Sequence, residues 1–217
     1  IGCYSCQTYK HVNSGEGGFL VTDAPDLAAA SVILSGSYML FEKHIAAPPV
    51  EAFVDLKYTT PNISGRMDNL RAAILRPQIK DLAKQCARWN KRYYSLELGL
   101  RDIPGLTLVQ RHAKETIVGS SIQFLLLDWL SSDIQEVIAR CGERGVELKW
   151  FGAPEPVAFT SRYDSWHYAP TKRMNASDRI LAGIVDMRVP LTFSLEDCAL
   201  ISRIIRAEVS AVYQAAR

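Results

Sequence analysis

The sequence predicts an α/β chain on three observations. A short apolar, β-branched run at residues 19–23 sits behind a glycine-rich turn. An unusually long helical periodicity begins at Arg66. From residue 101 onward, strand-like and helix-like patterns alternate to the C-terminus. The 217 residues suit one large domain or two small ones, with enough chain to bury a real core. Twenty-five Lys and Arg against 23 Asp and Glu leave a net charge of +2, and the basic residues form no stripe, so no nucleic-acid partner is expected. A hydrophobic content of 48% argues against disorder. No apolar run approaches the ~18 residues of a membrane-spanning helix.

The chain opens Ile1-Gly2-Cys3-Tyr4-Ser5, with no initiator Met, basic n-region or apolar signal segment. It reads as the continuation of something longer. Asn13-Ser14-Gly15-Glu16-Gly17-Gly18 supplies a tight turn, and Phe19-Leu20-Val21-Thr22-Asp23 behind it reads as a short buried strand. A helix follows, capped by Asp23, with Pro25 in its first turn and a body from Leu27 to Leu34 that stops at Gly36. From Ser37 to Gly65 the pattern breaks, and Pro48-Pro49, Pro61 and scattered aromatics predict an irregular, lid-like segment. Met67, Leu70, Ile74, Ile79, Leu82, Cys86, Trp89 and Tyr93 then keep helical spacing, with Asp68 favouring the start and Pro77 predicted to kink or interrupt the helix. Thirty residues of helix span on the order of 45 Å, the length of a strut between domains.

After Asp102-Ile103-Pro104-Gly105, residues 106–109, 121–127 and 145–150 read as strands, and Ser131-Ser132-Asp133 caps a helix running through Arg140. A loop rich in proline and aromatics follows, with Pro154, Pro156, Tyr163, Trp166, His167, Tyr168 and Pro170. Its 163–168 part either contacts a sugar or nucleotide or packs one domain on the other. A short strand at 187–190 leads to a last helix opened by Ser194-Leu195-Glu196-Asp197 in the manner of a capping box. The domain reading is 1–65, a linking helix at 66–100, and a small α+β domain at 101–217.

Five cysteines, at 3, 6, 86, 141 and 198, form no disulfide framework, and Cys3-x-x-Cys6 lacks the second ligand pair that zinc requires. No metal site is expected, and the thiols read as those of a reducing cytoplasm. The chemistry-bearing feature is Lys10, five residues after Ser5 and just before the glycine turn. Schiff-base chemistry needs an amine fixed in place, and backbone that approaches closely suits a phosphate group. From the residues alone, a solvated loop lysine has the same pattern. Lys57, Arg66 and Arg71 read either as ligands for a phosphorylated substrate or as a solvated helix face.

The run from Cys3 to Asp23, with Ser5, Lys10 and Gly15-Glu16-Gly17-Gly18, resembles the S-F-x-x-x-K-x-x-x-x-G-E-G-G-x-x-x-T-D signature of the DegT/StrS-type sugar aminotransferases. Gly65-Arg66-Met67-Asp68-Asn69-Leu70-Arg71-Ala72-Ala73 through Gln78-Ile79 is similar to that family's N-Y-R-M-x-x-x-Q-A-A-x-x-x-x-Q-L block. Val189-Pro190-Leu191-Thr192 before the last helix is a third, shorter likeness. The resemblance implies the C-terminal part of a fold-type-I transferase that uses pyridoxal 5′-phosphate. Its parts are the end of the large-domain sheet with the Schiff-base lysine loop, the linking helix and the small domain.

On that resemblance Lys10 forms the Schiff base and shuttles the proton, and Ser5 donates to the cofactor phosphate. Asn62 or Ser64 reaches the cofactor phosphate of a neighbouring subunit, with Asn62 preferred. The implied reaction moves an amino group from glutamate or glutamine to a keto sugar, expected to be nucleotide-linked. The implied partners are the N-terminal half of the same enzyme and a second copy in a homodimer with shared sites. Alone, the chain is expected to be inactive, because Lys10 would lack most of its cofactor contacts. A non-catalytic relative and a dehydratase of the same family are the alternatives. Retention of Ser5 and Lys10 counts against decay of the site, and a lysine rather than histidine at position 10 favours transamination.

Overall fold

The computed structural model describes residues 1–155 and 162–216, so Pro156 of the expected aromatic loop lies outside the described residues. The chain divides into two units, Ile1–Ala83 and Lys84–Arg217.

In the first unit, β1 (Gly2–Ser5) and β2 (Gly18–Val21) form an antiparallel ribbon that pairs Ser5 with Gly18 and Gly2 with Val21. The strand expected after the glycines is present, but it is not buried: Leu20 is 45% and Val21 57% exposed. Two strands alone cover neither of their faces. Helix α1 (Pro25–Leu34) has Pro25 in its first turn, as its fixed φ favours. Its cap differs from expectation: Ala24 is the N-cap, and the Thr22 hydroxyl, not Asp23, accepts from the Ala24 N–H at 3.1 Å.

The 37–65 segment is more ordered than its composition suggests. It contains two 3₁₀ turns, Phe41–Lys43 and Val50–Phe53, and one α-helical turn, α2 (Leu56–Thr59). Phe53 packs against Ala29, Val32 and Ile33 of α1 in a small buried cluster, with the Phe41 ring 4.6 Å from it. Two of the aromatics that look scattered in sequence, Phe41 and Phe53, therefore belong to a local core, while Tyr58 is exposed.

Helix α3 (Asn69–Leu100) is 32 residues long, and the unit boundary falls inside it. Asp68 holds its first turn by accepting from the Arg71 N–H at 2.8 Å. Pro77 does not interrupt the helix. Ala73, whose carbonyl loses its donor at Pro77, is exposed, where water can serve in place of the missing N–H.

The second unit has a four-stranded antiparallel sheet of order β3-β4-β6-β5, from Thr107–Leu108, Ser121–Leu125, Ile184–Arg188 and Lys149–Trp150. Alternation sorts its faces: Ile122 and Phe124 of β4 and Val185 and Met187 of β6 point into the core. On the other face Gln123 donates to Asp186 directly across the β4–β6 pair. The core is completed by Tyr93, Leu96 and Leu100 of α3, by Ile134, Val137 and Cys141 of α4 (Ser131–Glu143), and by Cys198, Ile205, Val209 and Val212 of α6 (Leu195–Ala215). These sit at the three- and four-residue spacings of one helix face.

The capping box is present on α6: Ser194 Oγ accepts from the Asp197 N–H at 3.0 Å, and the Asp197 carboxylate accepts from the Ser194 N–H at 2.8 Å. Three expectations need correction here. Helix α4 has Leu130 as its N-cap without a side-chain cap, strand β5 is only Lys149–Trp150, and β6 starts three residues before the expected strand. Helix α5 (Asn175–Gly183), just before β6, has no counterpart among the expected elements. Among the described residues no helix is long and apolar enough to cross a membrane.

Candidate functional site

Lys10 lies on the loop that joins β1 to β2, and that loop is tied by its own backbone. The Cys6 N–H donates to Gly17 O at 2.8 Å, Thr8 N–H to Gly15 O at 2.9 Å, and Ser14 N–H to Cys6 O at 3.0 Å. The Thr8 hydroxyl adds a second bond to Gly15 O at 3.1 Å. Buried Cys6 anchors the base of the loop, and burial pushes its thiol pKa up, whereas Cys3 is exposed.

The glycines are there for geometric reasons. Gly15 has φ +89° and Gly17 φ +120°, both in the left-handed region that side chains disfavour. A Cβ at Gly18 would stand 2.7 Å from the Tyr4 carbonyl oxygen, inside the β1–β2 ladder.

Lys10 itself is exposed, with its N–H on Gln7 O at 2.9 Å and its carbonyl accepting from Asn13 Nδ2 at 3.1 Å. Ser5, at the end of β1, is exposed, and its Oγ accepts from the Gln7 N–H at 3.3 Å, which leaves the hydroxyl proton to be given elsewhere. Ser5 and Lys10 thus project from one hairpin whose backbone is fixed.

Asn62 lies on a different segment, beside Gly36, and its Oδ1 accepts from the Ser64 N–H at 2.8 Å. This turn holds Ser64 at φ +51°, a conformation in which asparagine is several-fold enriched among non-glycine residues. Among the described residues no hydrogen bond joins Asn62 to Ser5 or Lys10.

A cavity of about 230 Å³ opens between the glycine turn and the start of α3, lined by Glu16, Gly17, Arg66, Met67, Asp68 and Arg71. Both arginines are engaged: Arg66 donates to Gly36 O at 2.9 Å, and Arg71 pairs with Asp68. The Arg71 backbone N–H, reinforced by its guanidinium, holds the Asp68 carboxyl below the usual range. Lys57 lies over the Tyr58 ring.

Gln78 falls inside a sequence motif that assigns it no task. In the structure its side-chain amide accepts from the Asn13 N–H at 3.0 Å and donates to Asn13 O at 2.7 Å and Ile74 O at 3.0 Å. A contact across 65 residues leaves no local signal.

In the second unit the 163–168 loop is tied to α5. The Tyr163 hydroxyl donates to Asp178 at 2.6 Å, a bond that raises its pKa, and the Trp166 ring stacks on Tyr168 at 5.8 Å. A cavity of about 300 Å³ lies beside it, between Phe151, Arg162, Tyr163, Arg173 and Asp178. Among the described residues no group of three His, Cys, Asp or Glu side chains is placed to hold a metal.

The sequence profile of the DegT/DnrJ/EryC1/StrS aminotransferase family matches residues 1–206. No curated protein sequence matches the chain. Solved structures do. The aminotransferase TlmJ from Streptoalloteichus hindustanus is 18% identical with a TM-score of 0.73, over 98% of this chain and 52% of its own. Helicobacter pylori PseC, an aminotransferase of pseudoaminic acid biosynthesis, is 13% identical with a TM-score of 0.72, over 96% and 53%. DesI, solved with its TDP-sugar product, is 17% identical with a TM-score of 0.71, over 99% and 51%. At such identities the likeness establishes the fold, that of pyridoxal-phosphate-dependent aminotransferases, and this chain spans about half the length of these structures.

Proposed function

The chain belongs to the DegT/DnrJ/EryC1/StrS aminotransferase family, and from that premise we propose that it serves a pyridoxal 5′-phosphate-dependent aminotransferase. The reaction moves an amino group from an amino acid, glutamate or glutamine, to a keto sugar carried on a nucleotide. The observation that carries this reading is the tied hairpin loop that presents Lys10 and Ser5 from one rigid frame. Its residues fit the cofactor. An exposed primary amine is available for the aldehyde, a serine hydroxyl has its proton to give to a phosphate, and glycine backbone admits close approach.

When bound, pyridoxal phosphate supplies the electron sink for breaking the C–H bond at the donor α-carbon. The protein's own work is positional. Ser5 Oγ, which accepts from the Gln7 N–H, would donate its proton to the cofactor phosphate and so help to place the cofactor. Lys10 Nζ would hold the cofactor through its aldehyde and would be the base that takes the donor α-proton and returns it two atoms along, at the cofactor C4′. The backbone bonds from Cys6, Thr8 and Ser14 fix the loop from which that amine extends. Asn62 Nδ2, with its Oδ1 already used by Ser64, would be the atom that donates to the phosphate of a partner subunit's cofactor. A homodimer with shared sites, and an N-terminal half completing each site, belong to the same reading. The TDP-sugar product in whose presence the similar DesI was solved supports a nucleotide-linked substrate.

The test is borohydride reduction of the complete protein after incubation with pyridoxal phosphate, followed by mass spectrometry. A pyridoxyl group on Lys10 is expected. Cofactor-loaded protein that carries no adduct at Lys10 overturns the reading.

A further inference from the structure

Lys10 is reached from α3 through two links of hydrogen bonds. The first is Gln78, whose primary amide pairs with the backbone N–H and C=O that flank the Asn13 Cα, accepting from the N–H and donating to the C=O. That is the pairing a neighbouring β-strand would supply, delivered by one side chain. A further bond from Nε2 to Ile74 O fixes the Gln78 rotamer within its own helix. The second link is the Asn13 side chain, whose Nδ2 donates to the Lys10 carbonyl at 3.1 Å. Gln78 and Asn13 are both half-buried, so the two bonds between them are partly shielded from competing water, whereas the Asn13–Lys10 bond lies at the surface.

Alternatives for Gln78 are poor. A carboxylate would accept from the Asn13 N–H but set its charge against Asn13 O, and an asparagine is one methylene shorter than the side chain that reaches both. The backbone bonds at Cys6, Thr8 and Ser14 stay within the hairpin, a frame that fixes the shape of the loop but not its place on the helix.

We propose that Gln78 is a positioning residue for the Lys10 amine, acting through Asn13. The inference rests on the reading of Lys10 as the cofactor lysine. Gln78 touches neither cofactor nor substrate; it decides where the amine stands when they arrive.

The experiment uses Gln78→Ala, Gln78→Glu and Asn13→Ala in the complete protein, with two readouts. The first is hydrogen exchange at the Asn13 amide without cofactor. The second is the rate at which pyridoxal phosphate becomes borohydride-trappable on Lys10, followed by its visible absorbance. Gln78→Ala should speed exchange at Asn13 by about tenfold to thirtyfold, the loss of two hydrogen bonds of ordinary net worth, and slow trapping at Lys10 by a similar factor.

Asn13→Ala cuts only the second link, so it should slow trapping while leaving the amide at position 13 protected. Gln78→Glu should behave like Gln78→Ala at neutral pH and recover protection at Asn13 as acid protonates the new carboxyl, which then donates as the amide does. A merely structural role would not carry that pH-dependent rescue over to the rate of trapping at Lys10. Normal Lys10 trapping in all three variants, or loss of protection at position 13 in Asn13→Ala alone, overturns the positioning role while the functional reading stands. An unmodified Lys10 in wild-type protein overturns the functional reading and this inference with it.

Discussion

A methyl group added at Gly18 gives the sharpest test of how the lysine loop is built. The new Cβ would stand 2.7 Å from the Tyr4 carbonyl oxygen, where ordinary contact is 3.4 Å or more. The clash is with backbone, and Tyr4 and Ser5 are locked in register with Phe19 and Gly18, so no side chain can swing aside. Overpacking of this kind costs about 1–3 kcal/mol. At Gly15, by contrast, nothing lies within 4 Å of where a methyl would stand, and the whole penalty of Gly15→Ala is its φ of +89°. A left-handed conformation costs an L-residue about 1–2 kcal/mol, and asparagine bears it better than alanine. The order of damage is therefore Gly18→Ala, then Gly15→Ala, then Gly15→Asn. Hydrogen exchange at the Cys6, Thr8 and Ser14 amides, whose bonds close the loop, reports each locally. A cost of about 2 kcal/mol appears as exchange some thirtyfold faster, by about the Boltzmann factor for that energy. Gly18→Ala exchanging no faster than Gly15→Asn would refute the idea that close approach, and not φ alone, dictates the glycines.

Further outcomes concern the second unit. The backbone N–H of Ser194 lowers the Asp197 pKa. The capping-box contribution is therefore full above the ordinary carboxylate pKa of about 3.9 and is lost as pH falls through the lower native value; thermal melts of Asp197→Asn should lack that part of the acid limb. Ser194→Ala at neutral pH should cost about 1 kcal/mol, readable in the same melts. Burial pushes the Cys141 thiol up to about 12 and also raises Cys198, so iodoacetamide near pH 8 should label neither until the protein is unfolded; rapid native labelling of Cys141 would contradict its burial. Phe124→Ala empties a fully buried position between sheet and helices and should cost about 3–5 kcal/mol, seen as a lower urea midpoint with an unchanged slope.

How much of the molecule is legible in its sequence depends on how local each signal is. Ser194 and Asp197 announce a helix start three residues apart, and the last helix begins where they put it. The long periodicity from Arg66 likewise becomes one continuous helix, although Pro77 argues for a break that the exposure of Ala73 makes unnecessary. Helix α5 escapes because its nine residues follow a proline- and aromatic-rich stretch and carry few apolar side chains. The alternation of Val185, Met187 and Val189 is a readable strand signal and places β6 better than the 187–190 run alone. At the site, Ser5, Lys10 and the glycines lie within one hairpin and so show as a motif. Gln78 meets Asn13 only through folding, and the left-handed turn at Ser64 depends on an Asn62 side chain that sequence leaves free to point anywhere.

The ribbon of β1 and β2 governs how the protein will behave in the hands of anyone producing it. Each strand has one outer edge that no other described strand pairs, and Tyr4, Leu20 and Val21 stand exposed on the ribbon. Neither strand contains a charge or a proline, the residues that normally guard an open edge against joining another chain. The polypeptide made by itself should therefore be sticky, accumulating in inclusion bodies or as oligomers held edge to edge. Soluble yield on co-production with a covering polypeptide then becomes a practical gauge of whether that edge has found its proper neighbour.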